Sequence, residues 1–132
     1  MTIYRKNHPQ CLEFGRECVA SKKWGGRVPP TLLDVHINLA RYAAGAGSTN
    51  YWRQPEVSTD VRASFEKFFS LNPNAVSWRH NYAYYAYQCG QYAVFIQQLG
   101  LFGSQTNYSY FAGKPAFELM VQTAQKQLTT RQ

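Results

Sequence analysis

Two interruptions, Asn72-Pro73 and Gly90, bound a helix that constrains the fold more than any other part of the chain. A residue before proline is pushed out of helical geometry, so the preceding helix ends at Asn72, while glycine supplies the left-handed cap that closes the next one. Between them runs Trp78-Arg79-His80-Asn81-Tyr82-Ala83-Tyr84-Tyr85-Ala86-Tyr87-Gln88-Cys89. At about 100° per residue, Trp78, Tyr82, Tyr85 and Cys89 fall on one face, and His80, Tyr84 and Tyr87 form a second aromatic strip almost opposite. Ala83 and Ala86 lie between, on one flank. Such a helix has no face to give to water. It is either sandwiched between neighbours or presents His80, Tyr84 and Tyr87 to a ligand, with Trp78, Tyr82 and Tyr85 packing the hairpin.

The rest of the chain reads at the same period. Residues 10–22 predict a first helix around Leu12, Cys18 and Val19, followed by a Gly- and Pro-rich connection anchored by Trp24. Leu32, Val35, Leu39 and Tyr42, with Leu33, His36, Ala40 and Ala43 beside them, predict a second helix over 31–44 that fades at Gly45-Ala46-Gly47. A polar loop containing Tyr51 and Trp52 leads to Pro55, suited to a first helical turn. Val57, Val61, Phe65, Phe68 and Phe69 then make an apolar stripe with Asp60, Arg62, Glu66 and Lys67 outside it. The fourth helix is expected over 75–89 and a fifth continues through Tyr92, Phe95, Ile96 and Leu99. Residues 103–113 form a loop over the body, and Lys114-Pro115 opens a sixth helix with Phe117, Met120, Val121, Ala124 and Leu128 inward and a frayed end from Thr129. The expectation is a single all-α domain over 1–132 with about six helices: a hairpin at 31–71, a second at 75–102 and a capping helix at 114–128.

Composition narrows the function. With 132 residues, 45% of them hydrophobic, the chain is long enough for a core without staples. No apolar run approaches the roughly 20 residues that span a bilayer, and the N-terminal residues lack the apolar stretch of a secretory signal. Three cysteines with no short paired spacing fit free thiols in a reducing compartment, so the cytoplasm is expected. The net charge of +7 admits an anionic partner, but the cations are scattered with no basic stripe. From Phe68 to Gly113 the one charged residue is Arg79, so polar surface there comes from amides, serines and tyrosine hydroxyls. Charge-poor, tyrosine-rich surface is the composition of interface cores.

Pro73, Tyr82, Ala83, Ala86, Tyr87, Gly90, Tyr92 and Leu99 fall near the closing-proline, large, small and turn positions of a repeat about 34 residues long, and on these residues the chain resembles tetratricopeptide repeats. Trp78 is one residue out of step and Phe95 stands where that family prefers a small residue. The resemblance implies an irregular array of antiparallel helix hairpins with N- and C-terminal capping helices. The segment from Trp78 to Tyr87 is also similar to uncharacterised bacterial helical-repeat domains, which implies a bacterial source and no particular activity.

Catalytic motifs are missing from this reading. His8, Cys11, Cys18, His36, His80 and Cys89 show no zinc-type spacing, no nucleophile elbow accompanies a cysteine, and Gly45-Ala46-Gly47 follows a helix where a phosphate loop would precede one. His36, flanked by Asp34 and Arg41, is a candidate pocket residue, although packing is the commoner fate of such a histidine. No cofactor or metal is implied. The expected role is therefore a non-catalytic scaffold that binds a protein or peptide, or a second copy of itself, through Arg79, His80, Tyr84 and Tyr87 with Tyr108 and Tyr110 from the covering loop. Two alternatives stand beside it: single-stranded RNA binding, from the net charge and stacking tyrosines, and a small enzyme or regulatory domain with an unrecognised His/Cys site.

Overall fold

Helical periodicity in the sequence is realised as helices, because the apolar columns at i, i+3 and i+4 have nowhere else to be buried. The structure, a computed structural model, describes residues 12–14, 16–17, 29–42 and 48–130. Among these residues the fold is all-α, with no strand. The chain divides at the Asn72-Pro73-Asn74 break into two compact units, Met1–Asn74 and Ala75–Gln132. Residues 12–14 and 16–17 are helical, as expected of the first segment; the remainder of that segment, with Trp24 and residues 43–47, lies outside the described residues.

In the first unit, helix α1 spans Pro29–Tyr42, α2 is a single turn at Ser48–Trp52, and α3 spans Pro55–Leu71. The expected polar loop before Pro55 thus contains a helical turn, and it is kept in place by burial of Trp52. Pro55 opens α3 where a missing N–H costs nothing. At the other end both the backbone N–H and the side-chain amide of Asn72 donate to the Phe68 carbonyl, at 2.9 and 3.1 Å. Val57, Val61, Phe65, Phe68 and Phe69 are all buried, as the stripe predicts. Asp60 is buried with them and not outside, and Ser64 stands one turn beyond it. On α1, Leu32, Leu33, Val35, His36 and Ala40 are buried, whereas Tyr42 is exposed. Helices α1 and α3 make the main packing contact of this unit.

In the second unit, α4 spans Val76–Gln88, α5 spans Tyr92–Phe102, short 3-10 turns occupy Gly103–Gln105 and Tyr108–Phe111, and α6 spans Lys114–Thr130. Gly90, at φ 77°, makes the turn between α4 and α5: its N–H reaches the Tyr87 carbonyl and the Gln91 N–H reaches Ala86. So short a turn folds α5 back along α4. Helix α6 persists through Thr129 and Thr130, whose hydroxyls donate to the carbonyls of Gln125 and Lys126, where fraying was expected.

Helix α4 meets α5 along the side that carries Ala83. Among the side chains that meet α5 are Arg79 on Gln98, His80 on Phe102, and Tyr87 on Tyr92 and Phe95. These contacts straddle Ala83, which is wholly buried, and Ala86 is buried beside it. The alanine flank therefore takes part in the hairpin, and Tyr82 and Cys89 of the neighbouring face are buried as well. Small side chains let two helices approach while rings on either edge close over the seam. Adding bulk here has no outlet: Ala83→Leu is expected to lower stability by about 2 kcal/mol, measured by urea unfolding, whereas Ser77→Leu on the exposed side of α4 should leave the midpoint nearly unchanged.

Candidate functional site

All six residues expected to face a partner lie in the second unit, and its fold assigns them different tasks. His80 is buried, and neither ring nitrogen is left over. Its Nε2 is 2.9 Å from the backbone nitrogen of Asn107, which can only donate, so Nε2 is the unprotonated acceptor. Nδ1 therefore carries the proton and donates to the Val76 carbonyl at 2.8 Å. The ring lies parallel to Phe102, centroids 3.9 Å apart, with Tyr110 at 4.9 Å on a tilted plane and Phe111 at 6.0 Å. His80 thus fastens the loop to α4, and its side chain faces the interior.

The other five are more open. Arg79 Nη1 donates to Oε1 of buried Gln98 at 3.1 Å, which gives that amide a partner inside the hairpin. Half-buried Tyr87 packs edge-on to Tyr92 and Phe95, at 5.5 and 5.2 Å. Tyr84, also half-buried, stands edge-on to Tyr85 at 5.1 Å. Tyr108 is exposed, with Phe117 at 5.2 Å beneath it and the Lys114 ammonium 5.9 Å from its ring. Tyr110 is the one member of the set whose ring meets another member, His80. The same unit also exposes Leu101, at the end of α5, and Leu119, on α6. The short loop between is held by its own bonds: Asn107 Oδ1 accepts from the Ser109 N–H and hydroxyl, and the Gly113 N–H donates to Tyr108.

The first unit holds a polar cluster that no sequence motif marks. His36, 1% exposed, donates from Nε2 to Oδ2 of Asp60 at 2.8 Å, and its Nδ1 is 2.6 Å from the Tyr51 hydroxyl. Arg16 closes on the same carboxylate, Nε at 2.9 Å from Oδ1 and Nη2 at 2.7 Å from Oδ2. His36 is therefore paired with Asp60 and Tyr51, where the sequence suggested Asp34 and Arg41 as its neighbours. The signal was present in part. Asp60 interrupts the apolar columns of α3, and His36 lies in line with Leu32 and Ala40 on α1, so each needed a buried partner. Sequence separations of 15, 24 and 44 residues hid which partner it was.

Among the described residues, no group of three His, Cys, Asp or Glu side chains is placed to hold a metal ion, and Cys89 is buried. No described helix is long and apolar enough to cross a membrane. Comparison with protein-family models, curated proteins and solved structures finds no match.

Burial alone would push the Asp60 carboxyl up, but the hydrogen bonds and charges of His36 and Arg16 outweigh it and hold the group below its ordinary value. A carboxyl lowered on folding binds protons more readily in the unfolded chain. The stability it contributes is present above the ordinary value of 3.8 and is lost as pH falls from there through the lower, folded value. Urea midpoints measured at descending pH should fall through that window, and Asp60→Asn should flatten the fall. At neutral pH, Asp60→Ala is expected to cost about 3 kcal/mol, because it strands a buried histidine, and Arg16→Ala, at the solvent end, about 1 kcal/mol or less.

Proposed function

We propose that the chain is a non-catalytic helical scaffold that receives a protein or peptide on its charge-poor second unit, in the manner of an irregular tetratricopeptide-like hairpin. One observation carries this reading. Leu101, Tyr108 and Leu119 are exposed in a unit whose polar surface is mostly amide and hydroxyl and whose one carboxylate is Glu118. Exposed aromatic and aliphatic side chains in a weakly charged setting suit a protein partner, which desolvates them, better than a phosphate backbone, which needs several cations in register. Tyr108 is the central contact in this reading, with Tyr84 and the aliphatic part of Arg79 as further contact area. His80 and Tyr87 support that surface from within.

The Tyr51–His36–Asp60 chain is the arrangement most like a catalytic relay. Its carboxylate is clamped by Arg16 and its imidazole is buried, and both features favour a role in joining α1, α2 and α3.

The contact and support roles separate by mutation. Tyr108→Ala should leave the melting temperature nearly unchanged and weaken capture of a partner from the native host about tenfold or more, the effect of removing an interface anchor. Tyr87→Ala should lower the stability of the folded chain by about 2 kcal/mol through the void left beside Tyr92 and Phe95. A partner defined by sequencing and rebound as a purified protein establishes the reading. Salt-sensitive binding of single-stranded RNA with Tyr108→Ala unaffected in protein capture would replace it with the nucleic-acid alternative.

A further inference from the structure

We propose that His80 is a proton-operated latch: uptake of a proton at Nε2 releases the Asn107 amide and frees the segment from Asn107 to Tyr110 from α4, while Phe111 stays anchored. The latch follows from donor and acceptor chemistry. A backbone N–H faces Nε2 at 2.9 Å and a carbonyl faces Nδ1 at 2.8 Å, so the closed geometry is satisfied by the neutral ring in a single tautomer. A second ring proton sets a donor against a donor. The Asn107 hydrogen bond has to break, and the amide turns outward to water.

Among the described residues, the groups in contact with the ring carry no charge that would compensate it. From the loop, Tyr110 faces it as a neutral phenol, and Phe102 of α5 and Phe111 supply apolar rings. On α4 itself the adjacent charged group is Arg79, a cation directed at Gln98 of α5. Helix α6 begins with Lys114, another cation, engaged at the Tyr108 ring, and the one carboxylate of the unit, Glu118, is exposed on α6. The contrast with His36 is instructive. There a carboxylate accepts from one nitrogen and a hydroxyl, able to donate or accept, meets the other, so an added proton loses no hydrogen bond.

The segment that would move is short and bounded. Gly103 at φ 34° lies on one side, and Ala112 and Gly113 at φ 63° and 102° on the other. Phe111, 1% exposed against Phe95, Phe102 and Phe117, keeps the far end docked, so opening is local. Tyr108 and Tyr110 ride on the released segment. That opening would alter partner binding rests on the reading above; the latch itself does not.

Two measurements on the full chain, with no partner present, decide it. Nitrogen-15 spectra of the imidazoles should show His80 protonated at Nδ1 and not at Nε2 at about pH 8. Hydrogen exchange at the Asn107 amide, corrected for its intrinsic pH dependence, should lose protection by up to about tenfold per pH unit as the solution is acidified from about pH 8 to 5, while the amides of α6 keep theirs. In His80→Gln this dependence should vanish; if that variant does not fold, the wild-type results stand alone. A His80 ring protonated at Nε2 at high pH, Asn107 protection that stays level across the range, or a dependence that survives in His80→Gln would each overturn the latch. A functioning latch with Tyr108→Ala silent in capture would instead overturn the proposed binding surface alone.

Discussion

Burying an imidazole leaves two ring nitrogens that must each find a partner, and both compact units are arranged around meeting that demand. In the first, His36 takes Asp60 from α3 and Tyr51 from α2, so one side chain joins three helices. In the second, His80 takes a carbonyl from its own helix and an amide from the loop after α5. An unpaired polar group at such depth costs on the order of 1 to 3 kcal/mol, so each histidine selects the one arrangement of neighbours that completes it. Apolar contacts are tolerant of small shifts and these bonds are not, which is why they set where α2 and the loop lie.

The two solutions differ in charge, and the difference follows from where acidic residues occur. All but one of the seven acidic residues lie at or before Glu66, so a carboxylate was at hand for His36 and none for His80. Asp60 can stay ionised because His36 and Arg16 both donate to it. His80 is instead enclosed by rings, and its neutrality is a condition of the closed loop. One unit sets its buried histidine against a carboxylate, the other within an aromatic stack.

Helix α4 shows how an aromatic sequence is accommodated without an obvious inward face. Ala83 and Ala86 are buried and rings to either side of them meet α5, so neither aromatic strip is wholly core or wholly surface. Tyr87 and His80 turn toward α5, while Tyr84 rests on its neighbour Tyr85. The surface left over is carried by Tyr108 and by the aliphatic side chains at Leu101 and Leu119, on elements whose own inner faces are already occupied.

Among the described residues, the sequence by itself determined the helical class and most helix boundaries from Pro55 onward, because periodicity, Pro55, Asn72-Pro73, Gly90 and Lys114-Pro115 act within a few residues of where they stand. The stripe on α3 was legible for the same reason. What it left undecided were the choices made across the chain: whether Asp60 faced water or His36, and whether His80 met a ligand or Asn107. Such choices turn on hydrogen bonds and contacts between residues 15 to 44 positions apart. A local pattern records that a polar residue sits in an apolar column; only the tertiary structure brings up the partner that makes its burial affordable.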